Sequence, residues 1–268
     1  MLKLSEIFIY PIKSLGGISL QQSTVEEKGL KYDRRMMLVD KTGMFLTQRN
    51  YPQMALLKTS MDEDFIKVID RKSGLEIKIF PHQTTNEKMN VIVWEDNCSA
   101  LKVSAEADEF FSDTLRLKCH LVLMPEDEKR VVDRRKKYIK ENHIVSFADA
   151  YPFLVIGQSS LNDLNKKLLE PLPMNRFRPN FVFTGSDAFE EDNWKDFKIG
   201  EVKFKAVKPC ARCVITTTNQ ETAERNEEPL KTLAAYRNFG NKVLFGMNVI
   251  SNSTGNVFVG DELTFHKN

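Results

Sequence analysis

The first hundred residues alternate hydrophobic and polar positions over short stretches. Residues 4–10 alternate so that both faces of a strand are partly apolar, and the Tyr10-Pro11 step ends the pattern. Further strands are predicted at 18–25, 35–40, 53–60, 65–70, 75–80 and 90–95, with glycine-bearing turns between most of them. Short, regularly spaced strands predict a small barrel or sandwich. Residues 105–115 have the composition and the acidic start of a helix.

The remainder of the chain shows the same strand pattern with two further helices. Strands are predicted at 117–124, 153–156, 180–184, 197–206, 213–218, 243–250 and 261–266. One helix is predicted from Ser159 to about Leu169, with Ser160 and Asp163 spaced as a capping box, and another from Pro229 to Tyr236. The sequence therefore predicts a mainly β (α+β) protein, divided into a first domain, 1–118, and a second, 119–268.

Composition and charge narrow the class of protein. The chain has 268 residues, 41% hydrophobic and 28% charged, with a net charge of +2, which is typical of an ordinary globular protein. The balanced charge does not favour nucleic acid as a partner. No apolar run approaches the roughly 18 residues of a membrane helix, and the first ten residues do not form a signal peptide. We therefore expect a cytoplasmic protein without a membrane association.

The segment 125–142 is dense in charges of both signs. Such a segment is most often a solvated loop. It could also form a mobile flap over an anionic ligand, and the sequence does not decide between the two.

Two of the four cysteines, Cys210 and Cys213, form a Cys-x-x-Cys pair. A zinc site needs two more ligands, and no histidine stands at a ligand interval from the other two cysteines. A thioredoxin-like motif is followed by a helix, whereas the β-branched run over 214–218 predicts a strand. A single thiolate ligand for a soft or high-valent metal, favoured by Arg212 next to it, and a pair of incidental cysteines both remain open.

Basic residues occur in two further motifs. Residues 175–180 read Asn-Arg-Phe-Arg-Pro-Asn, which suits an anion clamp because arginine forms bidentate bonds with phosphate and Pro179 stiffens the backbone. The alternative is a basic turn before a strand. Lys13 and Ser14 directly follow the first strand, and Arg34 follows Asp33. Taken alone, these could be a solvated turn and a surface ion pair.

In their order along the chain, the motifs resemble a single family over residues 3–266. The segments concerned are Tyr10-Pro-Ile-Lys-Ser14, Asp33-Arg34, Thr47-Gln-Arg49, Phe147-Ala-Asp149-Ala-Tyr-Pro152, Ser160-Leu-Asn-Asp-Leu-Asn165, Phe177-Arg-Pro-Asn180, Cys210-Ala-Arg-Cys213 and Val259-Gly-Asp261. The sequence resembles the molybdenum cofactor sulfurase C-terminal domain (MOSC) family, preceded by the family's N-terminal β-barrel domain. The resemblance implies an N-terminal β-barrel-like domain over 1–118 and a MOSC β-barrel with a few short helices over 119–268.

The resemblance also implies the residues of a site. Cys213 corresponds to the protein ligand of molybdenum, whereas Cys210 corresponds to a position that does not bind the metal. The residues expected to hold the pyranopterin and its phosphate are Lys13, Ser14, Arg34, Arg178 and Asn180. Asp149 matches the segment that lines the pterin.

The function implied by the resemblance is a molybdenum-dependent reductase. It would carry the molybdenum cofactor and reduce small N-hydroxylated compounds (hydroxylamines, amidoximes and N-hydroxylated bases) by two-electron oxygen-atom transfer. Electrons would come from a separate donor, either ferredoxin, flavodoxin or a cytochrome b5-like protein with its reductase, because the chain has no cluster-binding cysteine spacing. The alternative is a non-catalytic carrier of the cofactor or its sulfur. Sulfurase-type relatives add a domain for pyridoxal phosphate, which this chain is not expected to bind.

One turn departs from the family pattern. Where relatives usually carry Asp-x-x-Thr-Gly after the cysteine segment, this chain has Asn219-Gln-Glu-Thr222-Ala223. The missing glycine implies a different turn, so the shape of the substrate entrance does not follow from the resemblance. Trp94 and Trp194 are predicted to be packing residues at strand or loop ends.

Overall fold

The first part of the chain forms short strands, as the alternating pattern predicts. The computed structural model describes residues 1–132, 137–139 and 141–265. In chain order the strands are β1 (Lys3–Ile9), β2 (Ile18–Leu20), β3 (Gln22–Glu26), β4 (Gly29–Leu30), β5 (Met36–Asp40), β6 (Leu57–Met61), β7 (Ile66–Asp70), β8 (Glu76–Ile79), β9 (Lys88–Val93), β10 (Asp96–Lys102) and β11 (Cys119–Leu123). Helix α1 (Ala105–Leu115) begins at Ser104, whose side chain accepts a hydrogen bond from the Ala107 N–H.

The second part combines longer strands with two short helices. Its elements are β12 (Phe153–Gly157), α2 (Gln158–Asn165), β13 (Phe181–Thr184), β14 (Asp196–Ile199), β15 (Val202–Ala211), α3 (Leu230–Tyr236), β16 (Asn238–Phe239), β17 (Lys242–Ser251), β18 (Gly255–Phe258) and β19 (Leu263–Phe265). The prediction of a mainly β protein with a few short helices is confirmed. Within the described residues, no helix is long and apolar enough to span a bilayer. The middle of the charged segment (133–136 and 140) and the end of the last predicted strand (266) lie outside the described residues.

The strands pair across the two halves of the chain. The largest sheet has the order β19-β14-β15-β17-β12-β13-β1-β2, with β16 paired to β17. Strand β1 therefore lies antiparallel to β13, with Leu4 opposite Phe183 and Ile7 opposite Phe181. The smaller sheets are β5-β11-β10-β9, β18-β3-β4 and β6-β7-β8. Because β1 belongs to the sheet of the second half, the two halves of the chain share one sheet. The domain division at residue 118 stays a prediction.

Aromatic side chains fill the core of the large sheet. The Phe153 and Phe181 rings stack with centroids 5.6 Å apart, and Phe204 meets both of them edge-on. All three side chains are fully buried, and aromatic pairs in this geometry add to the stabilisation from area burial. This core fixes the ends of β1, β12, β13 and β15, from which the polar motifs emerge.

The segment after the cysteine pair differs from its prediction. Instead of a strand over 213–218, Val214–Thr217 forms a 3-10 helix. The Thr216 hydroxyl donates to the Cys213 carbonyl at 3.0 Å, and the Thr217 hydroxyl donates to the Val214 carbonyl at 2.8 Å. These local bonds compete with a sheet ladder, so the β-branched composition misleads at this point.

Three other strand predictions need correction. Residues 18–25 split into β2 and β3, and the start of 53–60 is a 3-10 helix, Pro52–Leu56. Residues 197–206 form the hairpin of β14 and β15, which turns at Gly200 with φ of 55°. Strand β10 was not predicted, because its first half, Asp-Asn-Cys-Ser, lacks the β-branched residues typical of strands.

The capping box predicted at α2 is also wrong. The helix begins after Gly157, which makes no side-chain cap bond. The Ser160 hydroxyl instead lies 2.9 Å from both carboxyl oxygens of Glu191 and accepts the Phe189 N–H at 2.7 Å. Glu191 is fully buried, and burial raises its pKa. Ser160 therefore satisfies a buried carboxyl group from another part of the chain.

We expect Ser160→Ala to destabilise the protein by about 1–3 kcal/mol, because Glu191 would lose a buried donor that water cannot replace. Urea denaturation measures the effect. Asn162→Ala, at an exposed position of the same helix, should change the unfolding free energy by less than about 0.5 kcal/mol. Equal effects of the two substitutions would contradict the role given to Ser160.

Candidate functional site

The polar motifs meet at one cavity of about 260 Å³. All seven residues predicted from the sequence line it: Lys13, Ser14, Arg34, Asp149, Arg178, Asn180 and Cys213. The wall also contains Arg49, Lys208, Cys210 and Arg212, for which the sequence analysis proposed no ligand contact. The structure therefore brings together residues that are up to 200 positions apart, and their roles toward a ligand stay predictions.

Three of the cavity residues have a left-handed backbone. The φ angles are 69° at Ser14, 49° at Arg34 and 56° at Arg178, a region that residues other than glycine adopt infrequently. The surrounding chain holds these conformations: the Ser14 carbonyl accepts a hydrogen bond from Gln48 Nε2 at 2.8 Å, and the Arg34 N–H donates to the Tyr10 carbonyl at 2.8 Å. Strained backbone of this kind is concentrated at ligand clamps and active sites.

The buried ring of Tyr10 supports two of the arginines. The guanidinium carbons of Arg34 and Arg178 lie 4.3 and 4.1 Å from the ring centroid. The Tyr10 hydroxyl donates to the Pro179 carbonyl at 3.1 Å, and burial raises its pKa to about 12. Burial, together with the nearby charge of Arg34, lowers the pKa of Arg178 to about 10. Arg178 is therefore still a cation at neutral pH, held against a neutral aromatic ring.

Asn180 connects the strands behind the cavity. Its side-chain oxygen accepts hydrogen bonds from Arg34 Nη1 and from the Leu154 N–H, both at 3.2 Å, and its Nδ2 donates to the Phe8 carbonyl at 3.2 Å. The second partner of Arg34 Nη1 is the Asp33 carboxylate at 2.7 Å. Asn180 is almost fully buried, so its amide fixes Arg34 relative to β1 and β12.

An ionic bridge joins the two halves of the cavity. Lys13 Nζ donates to the Asp149 carboxylate and, at 2.7 Å, to the Phe147 carbonyl. The second Asp149 oxygen accepts from Arg49 Nη2 at 2.9 Å. Burial lowers the pKa of Lys13 to about 8, although Asp149 opposes this shift. Burial by itself would raise the pKa of Asp149, but Lys13 and Arg49 hold it far below its usual value.

Arg49 is the cation next to the candidate metal ligand. Its Nε donates to Cys213 Sγ at 3.3 Å. Arg212, which the sequence analysis placed beside this thiol, instead donates to Cys210 Sγ at 3.1 Å and to the Phe177 carbonyl at 2.6 Å. Arg49 has no predicted role, although the residue stands in the motif Thr47-Gln-Arg49 that carries the resemblance.

The turn with the missing glycine closes the cysteine segment onto the first half of the chain. Gln220 exchanges amide hydrogen bonds with Gln48 at 3.0 and 3.2 Å, and Arg225 donates to the Gln48 and Arg49 carbonyls. Ala223 takes a φ of 62°, the conformation that glycine adopts at no steric cost. The turn keeps a left-handed residue although the glycine is absent.

The donors of the cavity suit an anionic ligand. Its titratable wall contains six cations, Lys13, Arg34, Arg49, Arg178, Lys208 and Arg212, and one carboxylate, Asp149. Among the described residues, neither the Ser14 hydroxyl nor the Arg178 guanidinium has a hydrogen-bond acceptor, and Arg212 Nε is buried without a partner. Unpaired cationic donors around a thiol fit a ligand that combines an anionic group with a metal centre.

The fold and the cavity define a mainly β protein with a cationic pocket that contains a thiol. Comparison with known protein families identifies matches to two domains in the chain. Residues 1–118 match the MOSC N-terminal beta barrel domain, and residues 142–264 match the MOSC domain. The chain belongs to the MOSC family.

Relatives of two kinds match most of the chain. Mitochondrial amidoxime-reducing component 1 of Mus musculus is 30% identical over 96% of this chain and 80% of its own length. Mitochondrial amidoxime reducing component 2 of Bos taurus is 30% identical over 96% of this chain and 81% of its own length. Molybdenum cofactor sulfurase of Oryza sativa subsp. japonica is 30% identical over 91% of this chain but only 32% of its own length.

We expect Ala223→Gly to stabilise the protein by about 1 kcal/mol, because glycine relieves the left-handed strain. Ala235→Gly in the exposed face of α3 is the matched control and should cost about 1 kcal/mol. Thermal and urea unfolding measure both changes. Destabilisation by both substitutions would show that the strain at Ala223 is absent.

The lowered pKa of Lys13 predicts a pH dependence of stability. Between about 8 and the ordinary value of 10.5, the unfolded chain binds a proton at Lys13 that the folded protein has released. Stability from this residue therefore rises with pH in that window. Relative to Lys13→Met, the free energy of unfolding of the wild type should rise by up to about 3 kcal/mol between pH 8 and 10.5.

Denaturation at a series of pH values measures this difference. Asp149→Asn provides the second variant: loss of the carboxylate lowers the pKa of Lys13 further, so the gain should begin at a lower pH. A flat difference between wild type and Lys13→Met would overturn the assignment.

Proposed function

We propose that this chain binds the molybdenum cofactor in its cationic cavity and reduces N-hydroxylated compounds. The observation that carries the proposal is the position of Cys213, whose thiol lines a cavity with six cations and unpaired donors. The amidoxime-reducing components, which are similar over nearly the whole chain, support the reductive chemistry.

The residues present fit the parts of that cofactor. The phosphate suits Arg178 and the Ser14 hydroxyl, which have no acceptor among the described residues, together with Arg34. Charge-assisted bonds of this kind are worth roughly 1.5–3 kcal/mol each. The Cys213 thiolate suits the metal, because soft sulfur ligands bind such a centre. Cys210 keeps its bond to Arg212 and has no ligand role in this proposal.

When bound, the molybdenum cofactor supplies the two-electron oxygen-atom transfer. The chain positions the reacting groups. Arg49 donates to Cys213 Sγ and is itself fixed by Asp149, which orients the thiol toward the cavity. Lys13 Nζ holds a proton at neutral pH beside Asp149, and with a pKa of about 8 it can release and recover that proton during turnover.

Electrons would come from a separate donor: ferredoxin, flavodoxin or a cytochrome b5-like protein with its reductase. The cytoplasmic location stays a prediction, since the amidoxime-reducing relatives carry mitochondrial names. Neither nucleic acid nor a membrane has a place in this proposal.

A second candidate function is a carrier of the cofactor. The observation in its favour is the similarity to molybdenum cofactor sulfurase, of which this chain spans about a third. A carrier would use the same cavity and Cys213 without turning over substrate. Pyridoxal phosphate remains unexpected in either case.

Substitution of each cysteine tests the ligand assignment, and turnover by the wild type separates the two functions. We expect Cys213→Ser to lose molybdenum and activity, because it removes the proposed metal ligand, whereas Cys210→Ser should keep most of both. The measurements are molybdenum content, pterin fluorescence after oxidation, and benzamidoxime reduction with an artificial electron donor, on protein made in a cofactor-competent host.

The outcomes are distinct. Molybdenum without turnover in the wild type would favour the carrier. A wild type without molybdenum and without pterin would end both candidate functions. Equal losses in the two cysteine variants would refute the ligand assignment.

A further inference from the structure

Trp94 occupies an unusual position for a tryptophan. It is the first residue of the two-residue turn between β9 and β10, where Val93 pairs with Asp96. Its φ is 58°, in the left-handed region that such turns normally fill with Gly, Asn or Asp. The side chain is 46% exposed, so the expectation of a packing residue does not describe it. A bulky residue rarely adopts this conformation, and residues that do are concentrated at functional sites.

The indole is fixed against residues of the candidate site. Its Nε1 donates to Asp149 Oδ1 at 3.3 Å. The Arg49 guanidinium lies 4.6 Å from its centroid, and the Phe45 ring lies 5.1 Å away. Arg49 is the residue that donates to Cys213 Sγ. Arg49, which contacts the Cys213 thiol, therefore also packs against the Trp94 ring, while much of the ring stays accessible to solvent.

Trp94 lines a second cavity that adjoins the first. This vestibule, of about 840 Å³, shares Asp149, Ala150, Tyr151 and Lys208 with the cationic cavity. The Lys208 ammonium lies 4.5 Å from the Tyr138 centroid and 5.1 Å from the Tyr151 centroid. The wall of the vestibule combines the aromatic rings of Trp94 and Tyr151 with charged side chains. A space of this size suits a small organic molecule. The indole therefore lies in the wall of a space that adjoins the cavity containing Cys213.

We propose that Trp94 is a specificity-determining residue: its exposed ring stacks on a flat ring of the substrate in the vestibule. The chain then prefers N-hydroxylated groups carried by an aromatic or heteroaromatic ring to those carried by an aliphatic chain. This inference rests on the proposed reductase function. The strained turn supports it, because a packing role would not need a tryptophan in a left-handed, half-exposed position.

The first test compares benzamidoxime with acetamidoxime, which has the same reactive group without the ring. Trp94→Asn is the main variant, because asparagine suits the left-handed turn. Its kcat/KM for benzamidoxime should fall by about tenfold, chiefly through KM, as expected for a lost stacking contact. The value for acetamidoxime should fall much less, since loss of the indole's contacts with Asp149 and Arg49 affects both substrates whereas loss of stacking affects only the substrate with a ring. Trp94→Phe, which keeps a ring, should restore most of the preference for benzamidoxime.

A matched control and a second readout keep the test decisive. Phe258→Ala truncates another half-exposed aromatic side chain, on β18 and outside both cavities, and should leave both substrates unaffected. Intrinsic fluorescence follows binding directly: Trp194 is buried, so benzamidoxime should quench the wild type and fail to quench Trp94→Asn.

Each outcome is informative. Equal losses on both substrates in Trp94→Asn would overturn the specificity role while leaving the reductase function intact. If the cofactor-loaded wild type reduces neither substrate, the proposed function fails. In that case quenching that depends on Trp94 would still support ring binding in the vestibule, and its absence would refute it.

Discussion

The carboxylate of Asp149 is the electrostatic link on which the candidate site depends. It accepts hydrogen bonds from Lys13, which follows β1, and from Arg49, and it also accepts the indole N–H of Trp94. Without this negative charge, two cations would face each other beside the Cys213 thiol in a partly desolvated cavity, where their repulsion is weakly screened. The bridge allows the chain to concentrate positive charge at the cavity and still fold.

Asp149 is itself held in place by a buried arginine. Arg130 donates to the Asp149 carbonyl at 2.8 Å, to the Ser146 carbonyl at 3.0 Å, and also to the Ala148 carbonyl. Its Nε bonds the Asp96 carboxylate at 2.8 Å, next to the turn that presents Trp94. The loop before β12 and the β9–β10 hairpin are therefore fixed by one guanidinium group. Through Arg130, the position of Asp149 is coupled to the position of the turn that places Trp94 in the vestibule wall.

The local pattern predicted most elements, and the motifs predicted a set of residues that the fold brings to one cavity. Period-two alternation located β1, β7 and β8, because a strand with one buried face repeats every second residue, whereas continuous apolar runs located β5 and β12, which are buried at almost every position. The motifs predicted seven residues that line one cavity. The failures have local causes. The threonines after Cys213 bond their own turn, and Ser160 bonds a distant carboxyl group, so intrinsic propensity and spacing pointed to the wrong structure.

The sequence by itself determined the mainly β class, the short helices, and the residue types available for an anionic, metal-containing ligand. Only the tertiary structure decided which cation meets which thiol: Arg49 contacts Cys213, although Arg212 is adjacent to it in the chain. It also decided that β1 joins the sheet of the second half, and that Trp94 is displayed at the vestibule instead of buried. The physical reason is that side-chain pairing over 100 or more residues is set by packing and electrostatics in the folded chain, which local periodicity does not encode.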